Sequence, residues 1–161
     1  MKLWTRLKNW LPAIAWACVI SALSTDSFSD EHTSAFIIPV LHWLFPHASA
    51  ETLKLMHAFI RKMAHFTEYF IFSIFLMHGL RGKDRVWTLR WAIWAVVIAA
   101  GYALFDEFHQ VFVPSRSSSA WDALLDTTGA AVAQIVLWLW HLSRMRSTAN
   151  EADGKTFPSP D

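Results

Sequence analysis

The chain has 161 residues, of which 54% are hydrophobic and 17% are charged, and its formal net charge is +1. Soluble domains carry about 25% charged residues, and the apolar residues here are gathered in blocks. The composition therefore excludes an ordinary soluble domain and predicts an integral membrane protein. No basic run is interleaved with aromatic residues, so nucleic-acid binding is not predicted. The single cysteine, Cys18, permits no intramolecular disulfide.

A basic start precedes the first apolar run, from Trp10 to Leu23. A signal peptide has the same layout. A transmembrane helix over about residues 4–23 is the favoured interpretation, because Trp4 and Trp16 lengthen the apolar span and no clear cleavage site follows. The sequence leaves open whether these residues are retained or cleaved.

Residues 24–52 begin with turn and cap formers and contain an apolar piece from Ala35 to Phe45. About eleven residues are too few to cross ~30 Å of hydrocarbon, and Pro39 lies inside the piece. We predict a short interfacial segment between helices one and two. Four histidines show no metal-ligand spacing and are predicted to be interfacial side chains: His32, His42, His47 and His57.

Three further transmembrane helices are predicted, with spans of about 59–80, 87–108 and 121–142. The first of them belongs to a longer helix candidate over residues 51–80, which ends before a charged loop. Pro114 to Ser119 favours a turn before the last span. Residues 143–161 are polar and are predicted to be a disordered cytoplasmic tail. The membrane domain is thus expected over residues 1–142.

Lysine and arginine concentrate at the N-terminus, in the loop over residues 81–90 and in the tail. Cytoplasmic loops of membrane proteins carry such an excess, so both termini are predicted to be cytoplasmic. The predicted fold class is all-α: a polytopic, multi-pass membrane protein with four transmembrane helices and one short interfacial segment.

Polar clusters interrupt the apolar helices between Arg61 and Glu68 and again between Asp106 and Asp126. At about 1.5 Å of rise per residue, Glu68, Asp106 and Asp126 lie roughly 20, 24 and 27 Å above the cytoplasmic ends of their spans. They are therefore expected in one layer of the outer third of the bilayer. A charged group at membrane depth costs about 2.5–3.5 kcal/mol, so these groups must pair or line a wet cavity.

Four motifs follow one another within residues 10–140: Arg61-Lys62-x-x-His65-Phe66-x-Glu68-Tyr69, Asp106-Glu107-Phe108-His109-Gln110, Val113-Pro114-Ser115-Arg116, and Asp122 through Gly129. Together with the Ser-rich step from Ser21 to Ser24, they resemble the VanZ-like family of small bacterial membrane proteins. Ser115 and Ala133 stand where that family commonly has Gly, and Asp126 where it often has Asn.

The resemblance implies a four-helix protein of the bacterial cytoplasmic (inner) membrane. Through the founding member of the family it also implies an association with resistance to the glycopeptide antibiotic teicoplanin. It implies no particular reaction and no cofactor, and it does not decide whether the chain is an enzyme.

One set of polar residues forms a candidate catalytic, acid–base cluster: His65, Glu68, Asp106, Glu107 and His109. His65, Glu68 and His109 would also suit a divalent metal ion, but the H-E-x-x-H pattern is absent and no metal is assigned. The alternative is a satisfied hydrogen-bond network that holds helix two against helices three and four.

A second set forms the candidate ligand-binding residues: Arg61, Arg116, Gln110, Asp122 and Asp126. The two arginines could present paired donors to a phosphate or carboxylate, or form ion pairs within the protein. Asp122 is near the start of the last helix and could cap it. Asp126 lies a turn deeper, where a site or interhelical role is favoured. Gly129 and Ala133 form a small-xxx-small pair that lets another helix come close.

The predicted function is binding of an anionic lipid or lipid-linked cell-envelope precursor in an outward-facing polar cavity. The alternative is a non-catalytic structural or interaction partner of an envelope enzyme. A proton-coupled carrier is a third option, and four helices would need to form a homo-oligomer for that role.

Overall fold

The computed structural model describes residues 2–25, 30–82, 86–111 and 119–154, which form five α-helices. The predicted all-α class is confirmed, and α3 contacts each of the other four helices. The bounds of the helices are α1 Lys2–Leu23, α2 Asp30–Leu44, α3 Ala50–Arg81, α4 Leu89–Gln110 and α5 Ala120–Gly154.

Two of these helices, α4 and α5, are long and apolar enough to cross a membrane, over Leu89–Gln110 and Ala120–Thr148. The apolar part of α1, Leu7–Leu23, is shorter. The apolar part of α3 contains several polar side chains that lower its mean hydropathy, among them His65, Glu68 and His78. The number of spans therefore stays a prediction.

Helix α1 runs antiparallel to α3. Trp10, near the start of α1, lies against Gly79 near the end of α3. Further along α1, the indole Nε1 of Trp16 donates to the carbonyl oxygen of Glu68 over 2.9 Å. The hydroxyl of Tyr102 in α4 donates to the carbonyl oxygen of Ala17.

The remaining helices alternate in direction. Ser24 follows α1 and hydrogen-bonds Asp106 near the end of α4, so α1 and α4 are parallel. The rings of Trp87, just before α4, and Trp138, in the second half of α5, lie 6.4 Å apart, so α4 and α5 are antiparallel. Among the described helices, α1 and α4 thus run one way, and α3 and α5 run the other.

Small side chains dominate the interior of the bundle. On α4 the buried residues recur every three or four positions, which places them on one face of the helix. Larger apolar side chains of α4, such as Trp94 and Phe105, point outward and are exposed. This inside-out distribution suits a bundle surrounded by hydrocarbon, where small residues permit close packing. The buried face of α4 carries Ala92, Ala95, Ala99 and Ala103.

The segment predicted to be interfacial forms a helix, α2, with Pro39 inside it. Leu41 is buried, and Thr33 hydrogen-bonds His57 of α3 over 3.2 Å. His57 is only 3% exposed, so its side chain is packed under α2. The four-residue spacing of His57 from Leu53, which is also buried, marks a face of α3 that α2 covers.

Helix α5 extends beyond the predicted span. It continues through residues 143–154, which the sequence assigned to a disordered tail. This stretch contains Ala149, Glu151 and Ala152 and no proline, and alanine and glutamate are good helix formers. The helix propensity of these residues thus explains why α5 continues beyond the apolar span. Residues 155–161, with Pro158 and Pro160, lie outside the described part.

Gly129 lies at a close approach between α3 and α5. A Cβ atom placed on Gly129 would meet the backbone of Phe66, at 3.2 Å from its carbonyl carbon and closer to its carbonyl oxygen. Ala133, one turn further along α5, is fully buried. The predicted role of the Gly129 and Ala133 pair in helix packing is therefore confirmed at Gly129.

We predict that Gly129→Ala lowers the free energy of unfolding by about 1–3 kcal/mol, because backbone atoms must move to admit the methyl group. Gly101→Ala is the matched control, since no heavy atom lies within 4 Å of the added Cβ. It should be neutral or stabilising by up to about 1 kcal/mol, given the helix propensity of alanine. Unfolding in mild detergent measures both. Equal stability of the two variants would contradict the close approach.

Candidate functional site

The carboxylate of Asp106 lies in a buried hydrogen-bond network where α1 meets α4. The Ser24 hydroxyl donates to its Oδ2 over 2.6 Å, and Nε2 of Gln110 donates to the same oxygen over 3.0 Å. All three side chains are buried. Gln110 stands one helical turn after Asp106, which brings the two to the same face of α4. Asp106 and Gln110 are therefore used at least in part to hold α1 against α4.

Two other predicted site residues, Glu107 and Asp122, form polar contacts at the start of α5. The backbone N–H of Ser119 donates to Oε2 of Glu107 over 2.7 Å. The ammonium group of Lys62 on α3 lies 2.8 Å from Oδ1 of Asp122. Asp122 lies in the first turn of α5, where Ser119 accepts a hydrogen bond from the N–H of Trp121. Ser119, rather than Asp122, thus supplies this cap contact.

His65 and Glu68 face each other on α3. Nδ1 of His65 lies 3.7 Å from Oε2 of Glu68, and their side chains are 25% and 15% exposed. A separation of three residues places both on one side of the helix. The histidine carries a positive charge only when protonated, so the pair is an ion pair in one protonation state alone.

Asp126 and Tyr69 lie deepest in this layer, at 2% and 0% exposure. Among the described residues, neither Oδ1 of Asp126 nor the hydroxyl of Tyr69 has a hydrogen-bond partner. Buried polar atoms are normally satisfied, because an unmade hydrogen bond costs about 1–3 kcal/mol. Within the described part of the chain, these two atoms are thus buried polar atoms that no other side chain or backbone group satisfies.

Carboxyl groups surround Asp126 closely enough to interact with it electrostatically. They come from α3, α4 and α5 and comprise Glu68, Asp106, Glu107 and Asp122. The predicted convergence of the two polar clusters is therefore present around Asp126. Four carboxyl groups from three helices thus act on a fifth, that of Asp126.

The remaining predicted site residues are placed less centrally. His109 is exposed, and Arg61 is partly exposed. Arg116 and most of its loop lie outside the described residues. Within the described part of the chain, no group of three or more His, Cys, Asp or Glu side chains could hold a metal ion. His65, Glu68 and His109 accordingly do not form the ligand set considered from the sequence.

Sequence reasoning assigned no role to several side chains that shape this region. Lys62 and Tyr69 stood within a quoted motif, and Ser24 ended the Ser-rich step. Ser73 and Gln134 were not singled out, yet Nε2 of Gln134 donates to the Ser73 hydroxyl over 2.8 Å. A polar residue inside an apolar run was the available signal for both, because such residues in membrane helices bond across to a neighbour.

A model of the VanZ/LLP1 family matches residues 9–141, which include the polar layer, all of α2, α3 and α4, and most of α1 and α5. The chain belongs to the VanZ/LLP1 family. No curated protein and no solved structure matches it. The family is one of membrane proteins, which agrees with the two candidate spans. Every predicted site residue of this VanZ/LLP1 protein lies inside the matched range.

The layer can donate, accept and transfer protons. Carboxyl and imidazole groups are the usual acid–base groups of proteins, and the described ones come from three helices. Lys62 and Arg61 stand at the end of the layer nearest the start of α5 and can attract an anion. The VanZ/LLP1 layer therefore combines a satisfied network at Asp106 with unsatisfied atoms at Asp126 and Tyr69.

We predict that Ser24→Ala destabilises the protein by about 1.5–3 kcal/mol, because it removes a hydrogen bond to a buried carboxyl group. The control is Ser143→Ala on the exposed part of α5, where the hydroxyl donates to the Trp140 carbonyl oxygen over 2.8 Å, and the expected change is within about 0.5 kcal/mol. Midpoints of thermal unfolding in detergent compare the two. A null effect at Ser24 would remove Asp106 from the structural network.

Proposed function

We propose that this VanZ/LLP1 protein crosses the bacterial cytoplasmic membrane four times, through α1, α3, α4 and α5, with both termini in the cytoplasm. The alternating directions of these helices support this topology. One end of the bundle gathers the start of α1, the end of α3 and the start of α4. Lysine and arginine are concentrated there, which is the distribution that cytoplasmic ends have. The polar layer then faces the outer side.

We propose that the polar layer binds an anionic lipid or a lipid-linked precursor of the cell envelope. The observation that carries the proposal is the buried pair of atoms without partners, Oδ1 of Asp126 and the hydroxyl of Tyr69. A layer built only to hold helices together would have no reason to leave them unsatisfied. A ligand that reaches this depth supplies a donor to Asp126 and an acceptor to Tyr69, as a hydroxyl group can.

Charged groups nearer the outer surface would hold the anionic part of the ligand. Lys62 is 56% exposed although it pairs with Asp122, so its ammonium remains accessible to an incoming phosphate. Arg61 precedes it, and Arg116 belongs to the loop that leads to α5. Phosphate and carboxylate groups suit arginine in particular. A ligand with a phosphate and, deeper, a hydroxyl group fits lipid headgroups and lipid-linked sugars.

On this proposal, His65 and Glu68 stand between the two contacts along α3, after Lys62 and before Tyr69. His65 and Glu68 follow Arg61 by one to two turns of α3, and Asp126 follows Asp122 by one turn of α5. A ligand held at both ends would place its intervening bonds beside these groups. In this role the protein would act in cell-envelope physiology, including the response to glycopeptide antibiotics that the resemblance implies.

A second candidate function is a structural or interaction partner of an envelope enzyme. The network of Ser24, Asp106 and Gln110 favours it, because those groups satisfy one another within the chain. On this alternative the whole polar layer serves packing, and any substitution in it acts through protein stability.

Tyr69→Phe separates the two candidates. It removes the hydroxyl without changing the ring, so the binding function predicts about a tenfold loss of the co-purified ligand of the polar layer from one lost hydrogen bond. Stability should stay the same or rise, because the buried hydroxyl had no partner. Mass spectrometry of the protein purified in mild detergent measures the bound lipid, and thermal unfolding measures stability.

Tyr102→Phe is the matched control. The Tyr102 hydroxyl is satisfied by the Ala17 carbonyl oxygen and by Ser21, so its loss should lower stability and leave the bound lipid unchanged. The proposed function fails if Tyr69→Phe retains the full lipid content. If Tyr69→Phe instead lowers the thermal stability and the abundance of the protein, and the sensitivity of the cells to envelope-active drugs changes in parallel, the structural alternative is correct.

A further inference from the structure

A groove opens between α4 and α5 on the outer surface of the bundle, away from the polar layer. Its volume is about 500 Å³, within the range of about 300–1,000 Å³ typical of small-molecule sites. The lining is apolar and comes from both helices, including Leu89, Ile93 and Val97 on α4 and Ala131, Ile135 and Trp138 on α5.

No polar atom reaches the surface of this groove. Gln134 belongs to its lining, but Nε2 of that side chain donates to the hydroxyl and the carbonyl oxygen of Ser73 on α3. The amide is thereby turned into the bundle, and its aliphatic part faces the groove. A polar ligand would lose its hydrogen bonds to water on entry and gain none, so the groove suits a hydrocarbon chain.

The length of the groove corresponds to one leaflet of a bilayer. It runs along α4 from Leu89 to Val97, a rise of about 12 Å, and half of a hydrocarbon core of ~30 Å is about 15 Å. One end is closed by the rings of Trp87 and Trp138, whose centroids lie 6.4 Å apart. Tryptophan prefers the level of the lipid headgroups, so this end lies near the membrane surface.

Basic side chains lie at the same end of α4 and α5. Arg90 is in the first turn of α4, and its guanidinium stacks on Trp91 at 5.1 Å. Arg144 lies beyond Trp138 on α5 and stacks on Trp140 at 4.1 Å. Both arginines are exposed. Such residues next to a membrane span attract anionic headgroups. The apolar groove and the nearby cations therefore match the two parts of one amphiphile.

We propose that the groove between α4 and α5 binds an acyl chain of an anionic glycerophospholipid, whose phosphate lies near Arg90 and Arg144. The site belongs to the leaflet on the side of Trp87, at the opposite end of the bundle from Asp126. It is independent of the ligand proposed for the polar layer.

The test uses the full-length protein, stripped of lipid in detergent and titrated with phosphatidylglycerol or with phosphatidylcholine, with bound lipids counted by native mass spectrometry. Phosphatidylglycerol should bind the wild-type protein more tightly. Arg144→Gln should weaken that binding about fivefold, as expected for one basic residue near the surface, and leave phosphatidylcholine unaffected. Equal binding of the two lipids to the wild-type protein would overturn the proposal.

Variants that fill the groove with a larger side chain provide the second part of the test. Ile135→Trp should weaken phosphatidylglycerol binding at least tenfold, because the new ring occupies the volume of the chain. Ile14→Trp is the matched control on α1, with 53% exposure against 52% for Ile135, and should have no effect. Ala131→Phe fills the same groove from another position, so this part of the test does not depend on the folding of one variant.

The outcomes also separate this site from the polar layer and from other occupants. Tyr69→Phe should leave the lipid in the groove bound even if the polar layer loses its ligand. Unchanged phosphatidylglycerol binding in both filled variants would overturn the proposal. So would a change from dimer to monomer in those variants without any loss of lipid, because a second copy of the chain would then be the occupant.

Discussion

The close approach of α3 and α5 at Gly129 determines how the rest of the bundle is arranged. With the Phe66 backbone directly against Gly129, the two parallel helices can bond to each other on both sides of the contact. Lys62 and Asp122 pair on one side. On the other side the Ser73 hydroxyl donates to the Ala130 carbonyl oxygen over 2.9 Å. A larger residue at position 129 would separate both sets of partners.

This arrangement explains why the two buried carboxyl groups, Asp106 and Asp126, have different hydrogen-bond partners. Asp106 is at the junction of α1 and α4, where Ser24 and Gln110 can reach it. Asp126 lies on the α3 side of α5, where carboxyl groups of α3, α4 and α5 act on it electrostatically. Burial of charge in a membrane requires a partner. The first carboxyl group finds hydroxyl and amide donors within the chain, and the second has an oxygen that none of the described side chains reaches.

The sequence was sufficient to predict the helices that carry the polar layer. Apolar runs with charged ends located α1, α3 and α4 closely, and the Gly129 and Ala133 spacing identified a packing face. Partner choice could not be predicted, because periodicity gives the face of a residue but not the distance to a donor. Ser24 is an example: it bonds Asp106 across 82 positions of the chain. The sequence left the secondary structure of the α2 segment open, and the extension of α5 was missed because polar composition was taken as disorder.

The bond between Ser24 and Asp106 also has a consequence for biogenesis. A chain made from its N-terminus presents α1 and Ser24 long before α4 emerges, so the hydroxyl is in place when the carboxyl group arrives. Asp106 near the end of α4 can therefore bond to Ser24 as soon as α4 packs against α1, and it does not depend on a later helix for this donor. Loss of the first helix after synthesis would withdraw that donor and a buried part of the core, including Ala13 and Ile20. Within the folded bundle, α1 thus supplies apolar surface to the core and is followed by the hydroxyl that donates to Asp106.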